Sequence, residues 1–260
     1  MVSTDFRTGS PNWIDLGSPD PAESELFYGA VFGWTFESGG PDAGGYGFFR
    51  KEGRTVAAAG PLTEAEALPA WTVYFRTEDA DRTAAAVAEA GGTVRVPPSD
   101  VMAEGRFAQF TDPTGGDFAV WQPGRTRGLE AVRETDALCW AELHTSDAAK
   151  ALRFYRALFG WRARDSGVPG VDYTVLSTAE GEDPREASFG GAAGVHPRVN
   201  VGWLVHFAVA DALLATDQVR KAGGSILVPP EQVPTVGRIA VLADPFGAQF
   251  AILEPEPRRA

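Results

Sequence analysis

Ser18–Trp34 reads SPDPAESELFYGAVFGW, and Thr145–Trp161 reads TSDAAKALRFYRALFGW. The two stretches align without a gap, Asp20 on Asp147, 127 positions apart. Each opens on an Asp suited to cap a helix, carries apolar residues at helical spacing and closes on Gly-Trp. In the first, Pro21 fits the opening helical position and Glu23 predicts a capping box with Asp20. Leu26, Phe27, Ala30 and Val31 are the predicted buried stripe.

Working outward, the match continues at a slightly larger offset. Glu78–Pro98 (EDADRTAAAVAEAGGTVRVPP) answers Ala210–Pro230 (ADALLATDQVRKAGGSILVPP), and Thr111–Pro123 (TDPTGGDFAVWQP) answers Ala243–Pro255 (ADPFGAQFAILEP), both 132 apart. The chain is therefore an internal duplication. The predicted organisation is residues 1–124 as one domain, 125–137 as a Pro/Gly-containing charged linker and 138–260 as the second domain. Before each of the four Asp caps runs a short alternating strand: NWIDLGS, WTVYFRTE, CWAELHT and WLVHFAVA. Shorter extended runs such as YGFFRK, TVAAAG, RFAQF and DFAVW follow the helices, giving four strand–helix–three-strand modules of α+β class. The Gly-rich stretches GGPDAGGYG and FGGAAG lack a phosphate-loop context and are read as turns.

Composition narrows the function. The 260 residues are 44% hydrophobic and 22% charged, enough apolar content for sizeable cores. A net charge of -12 opposes binding to a phosphate backbone, and the basic pairs Arg125/Arg127 and Arg258/Arg259 lie in the linker and at the C-terminal end. No run approaches the roughly 20 apolar residues of a membrane span, and the first residues lack a secretion pattern. The single Cys139 excludes an intrachain disulfide framework. A cytoplasmic protein with a small-molecule partner, and no nucleic acid or membrane, is expected.

The module order, the FYxxxFGW helix ends, the AGG turns and the DPxG hairpins at Asp112 and Asp244 resemble the glyoxalase, bleomycin-resistance and extradiol-dioxygenase (vicinal oxygen chelate) superfamily, over about residues 11–254. A nearer resemblance is to tandem actinobacterial glyoxalase-like proteins. The resemblance implies two glyoxalase-like domains, each of two βαβββ modules forming a curved, cup-shaped sheet, with a divalent metal at the bottom of the cup in the enzymes. The metal positions it implies, a His seven residues before each capping Asp and a Glu after DPxG, fall here on Trp13, Thr72 and Ala119, and on Trp140, Leu204 and Ala251. None replaces His or Glu as a strong ligand, so neither metal nor cofactor is expected.

Strand alternation separates the two faces of each sheet. Ile14, Leu16, Val73, Phe75, Phe118, Val120, Ala141, Leu143, Val205, Phe207, Phe250 and Ile252 form a uniformly apolar phase, predicted to lie beneath the helices. The opposite phase is mixed and lines the predicted cups. Glu142 and His206, each five residues before its capping Asp, are the candidate acid/base pair, because a carboxylate beside an imidazole suits proton transfer near neutral pH. Trp13, Asp15, Tyr74, Trp121, Trp140 and His144 are the candidate ligand-binding residues. Trp13 and Trp140 serve either as stacking walls or as plugs for the vacated metal pockets.

Three functions follow. The first is metal-free tailoring of an aromatic or polyketide-like metabolite by proton transfer (isomerisation, cyclisation or dehydration). The second is non-catalytic sequestration of such a compound. The third is a lyase or oxygenase with a relocated metal on His144, Glu142 and His206. Against the last, residues i and i+2 of a strand stand roughly 6.5–7 Å apart, and His144 is expected at a strand end close to solvent. The first is favoured.

Overall fold

The computed structural model describes residues 2–62, 66–167, 172–180 and 187–256; the basic pair Arg258/Arg259 lies outside them. The first repeat runs β1 (Pro11–Ser18), α1 (Pro21–Phe32), β2 (Thr35–Ser38), β3 (Gly47–Lys51), β4 (Arg54–Pro61), β5 (Ala70–Arg76), α2 (Ala80–Glu89), β6 (Thr93–Val101), β7 (Gly105–Thr111) and β8 (Asp117–Pro123). The second repeats the order: β9 (Leu138–His144), α3 (Ala148–Phe159), β10 (Arg162–Asp165), β11 (Tyr173–Ser177), β12 (Ser188–Ala193), β13 (Gly202–Ala208), α4 (Ala212–Lys221), β14 (Ser225–Val233), β15 (Gly237–Ala243) and β16 (Gln249–Pro255). Each repeat gives one open eight-stranded sheet, ordered β2-β3-β4-β1-β5-β8-β7-β6 and β10-β11-β12-β9-β13-β16-β15-β14. The sheets are mixed: β1/β4, β5/β8, β9/β12 and β13/β16 pair in parallel, while the hairpin neighbours are antiparallel.

The four helices start where the Asp caps require. Asp20 accepts the backbone N–H groups of Ala22 and Glu23, Asp79 that of Arg82, Asp147 that of Lys150, and Asp211 those of Leu213 and Leu214. The capping box expected from Glu23 is not what completes the first cap. The N–H of Asp20 is satisfied instead by Ser18 Oγ at 3.1 Å, and the same device recurs as Thr77 to Asp79 and Thr145 to Asp147 at 3.2 Å each. A hydroxyl two residues before the cap reaches back locally, so the Glu is not needed. Gly33 and Gly160 end α1 and α3 in the left-handed conformation that glycine adopts without strain.

The buried stripe of α1 also differs from expectation. Ser24, Phe27, Tyr28, Val31 and Phe32 are inside, whereas Leu26 is 75% exposed and Ala30 is exposed. The true stripe follows 24, 27, 28, 31 and 32; choosing Leu26 by hydrophobicity rotated the face by one position. FGGAAG is likewise a strand, β12, rather than a turn. Its glycines are there for close approach: a Cβ at Gly190 would strike the Ala141 carbonyl oxygen, and one at Gly191 the Tyr173 ring and hydroxyl.

Two compact units emerge, and they cut across the repeats. One comprises residues 1–14, 72–129 and 140–203, the other 15–71, 130–139 and 204–260. Each thus draws one helix-bearing module from each repeat. In the first unit, Phe75 and Phe118 of β5 and β8 pack on Tyr155 of α3, with Phe159 and Trp161 against Phe75 and Phe154 against Phe118. In the second, Phe207 and Phe250 of β13 and β16 pack on Phe32 of α1, with Phe27 and Tyr28 against Phe250. The apolar strand phase does lie against helices, and its aromatic residues Phe75, Phe118, Phe207 and Phe250 meet the helix of the other repeat, while α2 and α4 also pack on the strands that follow them in their own repeat.

Polar pins fix the same exchange. Tyr155 donates its hydroxyl to Asp112 Oδ2 (2.9 Å) and accepts the Trp203 indole N–H (2.8 Å); Tyr28 donates to Asp244 Oδ2 (3.3 Å) and accepts from Trp71 (3.0 Å). Trp161 and Trp34 then donate their indole N–H groups to the Gly9 and Asp136 carbonyls at 2.9 Å. Asp112 and Asp244, the DPxG aspartates, also accept N–H groups of their own turns. Burial first, and then the neighbouring carboxylate charge, pushes the Tyr28 and Tyr155 hydroxyls well above the usual phenol range, so both remain donors.

Candidate functional site

The mixed phase of β9 carries Trp140, Glu142 and His144 on alternate positions, between the buried Ala141 and Leu143. β12 runs parallel beside it, Gly191 level with Glu142 and Ala193 with His144; β11 lies beyond, with Tyr173 level with Ala193. Because Gly191 has no side chain, the Tyr173 ring crosses over it and brings its hydroxyl to β9. There it accepts the Trp140 indole N–H at 2.7 Å and hydrogen-bonds with Glu142. Burial of the hydroxyl, reinforced by the Glu142 charge, pushes the Tyr173 phenol well above its usual range, so Tyr173 is the donor to the carboxylate.

His144 joins the same cluster. Its Nε2 lies 2.8 Å from Glu142 Oε1, in contact though not aligned as a hydrogen bond, and its Nδ1 has no hydrogen-bond partner among the described residues. The side chain is 7% exposed, against 15% for Glu142. His144 is therefore buried rather than near solvent, and side chains at i and i+2 do converge here. The strand spacing sets their Cα separation, but two long side chains on one face lean across it.

The first repeat holds a related arrangement. The Tyr46 hydroxyl donates to Asp15 Oδ2 at 3.2 Å, with its ring against Gly60. Tyr46 and Tyr173 stand 127 apart, as do Trp13/Trp140 and Asp15/Glu142. His144 corresponds to Gly17, so the first repeat has no imidazole there. Sequence reasoning passed over both tyrosines, although the repeat offset was the signal that pairs them.

The remaining expected residues are placed as follows. Trp13 is 7% exposed and Tyr74 5%, the latter level with Ala119 on β8. Trp121 is 8% exposed; it donates its indole N–H to Thr126 O at 2.8 Å and lies over Gly105, so it anchors the segment after β8. His206, 3% exposed, stands level with Ala251 on β16, and its carbonyl accepts the Cys139 thiol at 3.3 Å. Glu142 and His206 belong to different compact units, whereas Glu142, His144, Trp140 and Tyr173 share one. His196 is an exposed loop residue whose Nδ1 accepts the Arg198 N–H.

The metal positions do not fit a metal. Ala119 and Ala251 are fully buried without a donor atom, Leu204 is 3% exposed, and the Trp140 N–H is committed to Tyr173. Among the described residues no group of three His, Cys, Asp or Glu side chains is arranged to hold an ion. No helix among them is long and apolar enough to cross a membrane.

The family model for the glyoxalase/bleomycin resistance protein/dioxygenase superfamily matches residues 10–120 and 137–252. Similar relatives include the anthracycline biosynthesis protein DauV of a Streptomyces species, 39% identical over 96% of this chain and 95% of its own length. The putative glyoxylase CFP32 of Mycobacterium bovis is 35% identical over 98% of each chain. Among solved structures, the 2,3-dioxygenase LapB from Pseudomonas sp. KL28 superposes with a TM-score of 0.63 at 14% identity, covering 97% of this chain and 96% of its own. An Mn(II)-bound glyoxalase from Novosphingobium aromaticivorans gives 0.64 at 16% identity, over 97% and 86%. At such identities the superpositions speak to fold alone. With the family model matched once in each repeat and relatives aligned end to end, the chain belongs to the glyoxalase/bleomycin resistance protein/dioxygenase superfamily as a tandem two-domain member.

Proposed function

We propose that this protein binds a polycyclic aromatic, polyketide-type metabolite and tailors it by proton transfer, by isomerisation, cyclisation or dehydration, without a metal. The carrying observation is the Trp140–Tyr173–Glu142–His144 cluster: beginning at Trp140, one of the positions where the metal-dependent members would present a ligand, this chain gathers two half-buried aromatic rings beside a carboxylate and an imidazole. Rings of that kind offer broad apolar contact to a flat ligand, and a carboxylate beside an imidazole suits acid–base work. The aromatic substrate class is supported by relatives named for anthracycline biosynthesis in two Streptomyces, at 39% and 38% identity. Glu142 is proposed as base in one compact unit, with Trp13, Tyr74 and Trp121 among its binding residues; in the other unit His206 is proposed as an acid–base group and Asp15 as a binding residue.

Titration with an anthracycline aglycone, followed by tryptophan fluorescence, tests the binding half of this reading. Saturable quenching is the expected result, and Trp140→Ala should weaken binding by about 1–3 kcal/mol. Fluorescence unchanged up to the solubility limit of the aglycone would remove the reading.

A further inference from the structure

The tyrosine–carboxylate pair is built twice, and the two copies are not equal. In both repeats a tyrosine, Tyr46 just before β3 and Tyr173 at the start of β11, crosses a glycine to reach a carboxylate two residues after a tryptophan. The carboxylate is Asp15 in one copy and Glu142 in the other, and the tyrosine reaches it in both. Only the second copy adds an imidazole: His144, at 2.8 Å from Glu142, where the first has Gly17.

On the sheet face that carries Glu142, Val175 two strands away on the same level is 8% exposed and the His144 side chain 7%, yet the Glu142 side chain keeps 15% of its surface and the Trp140 and Tyr173 rings are half-buried. What reaches the surface here is thus a carboxylate flanked by two rings, and the indole-to-phenol hydrogen bond holds those rings in place. A carboxylate in that setting recognises a hydrogen-bond donor, because charge-assisted bonds in a partly dry site are stronger than neutral ones. Beside aromatic faces, the donor that fits is a hydroxyl carried on a flat ring system.

We propose that Glu142 accepts the O–H of a phenolic hydroxyl on the ligand, that Trp140 and Tyr173 hold the ring bearing it, and that His144 is a positioning residue for the carboxylate. This rests on the aromatic-ligand reading above and adds the group recognised and the atoms that recognise it.

The test compares 2,6-dihydroxyanthraquinone, whose hydroxyls are too far from the quinone carbonyls to bond them internally, with 2,6-dimethoxyanthraquinone, which keeps the ring and oxygens but has no proton to donate. Dissociation constants are read from tryptophan quenching in the full chain, with thermal unfolding confirming that each variant is folded. The dihydroxy compound should bind the wild type about 10-fold or more tightly than the dimethoxy compound, the magnitude of one charge-assisted hydrogen bond. Glu142→Gln should reduce that ratio to below about threefold, and His144→Gln should lower it to an intermediate value, while dimethoxy binding stays within about threefold of wild type. A merely structural role for either residue would weaken both compounds together and leave the ratio intact, which would overturn the assignment. Equal binding of both compounds by the wild type also overturns it and leaves the aromatic reading standing. Binding of neither overturns the aromatic reading and this inference with it. Should Glu142→Gln fail to fold, Glu142→Asp serves instead: a carboxylate shortened by one methylene should keep part of the ratio, and full retention beside unchanged dimethoxy affinity would count against the proposal.

Discussion

The Tyr155 hydroxyl lies 2.9 Å from Asp112 Oδ2, joining the first helix of the second repeat to the DPxG turn of the first. Tyr155 is fully buried, Asp112 is 3% exposed, and the phenol also accepts the Trp203 N–H. Tyr155→Phe would leave a buried indole donor and a buried carboxylate short of a partner at once. A loss of about 1–3 kcal/mol in unfolding free energy is expected, measured by denaturant titration. A change below about 0.5 kcal/mol would mean that this pin contributes nothing to stability.

Because Phe75 and Phe118 find their helix in the other repeat, the repeats should not fold separately. Burying each such ring contributes about 1.5–3 kcal/mol, and residues 1–124 alone would expose several. That fragment should show no cooperative melting and should bind a hydrophobic dye, whereas co-expression with residues 125–260 should restore a compact pair. A sharp melting transition in the isolated fragment would contradict the exchanged packing.

Asp244 is 2% exposed, and burial, the largest influence, pushes its carboxyl above the usual range against the hydrogen bonds that lower it. The folded state therefore holds this proton more tightly than the unfolded chain. The stabilisation from it is complete below the ordinary carboxylate value and is lost as pH rises through the raised one. Asp244→Asn removes that linkage, so wild type should gain stability relative to the variant as pH falls through that window. Denaturant midpoints for both proteins across the acid range measure it; a constant difference would show that Asp244 does not titrate differently on folding.

Burial pushes the Cys139 thiol up to about 12. Thiolate, the reactive form, is then scarce at pH 8. Iodoacetamide should label the native protein slowly and the denatured protein quickly, followed by intact mass. Comparable rates in both states would show that the thiol is accessible and ionised.

Much of the fold was legible because it was written twice. The four capping aspartates, the Gly-Trp helix ends and the DPxG turns fix registers without reference to tertiary structure. What the pattern could not show is the partner of each buried face: alternation says that Phe75 and Phe207 go inside, not that their helices come from the other repeat. At the candidate site, the shared strand face of Trp140, Glu142 and His144 was legible from strand phase alone. Tyr173 was not, because its role depends on crossing Gly191 from a strand two places away. The burial of His144 was missed because its position at the end of β9 suggested exposure, while the chain continues into the buried Thr145.

If Glu142 in one unit and His206 in the other each carry proton transfer, each variant should fail in the chemical step and keep its fold. His206→Ala should lower turnover by roughly 100-fold or more, and Glu142→Gln should lower it and alter its pH profile. Steady-state rates across pH, with circular dichroism as the fold control, measure this; wild-type rates in both variants would withdraw the roles.

The most direct measurement of the central claim is product analysis by liquid chromatography and mass spectrometry, using chelator-treated protein and an anthracycline-type aglycone. Metal-free proton-transfer tailoring predicts a product that is an isomer of the substrate or lighter by one water, formed by the chelated wild type and lost in Glu142→Gln. Binding with no product, or a product that forms only after a divalent metal is added back, would contradict it.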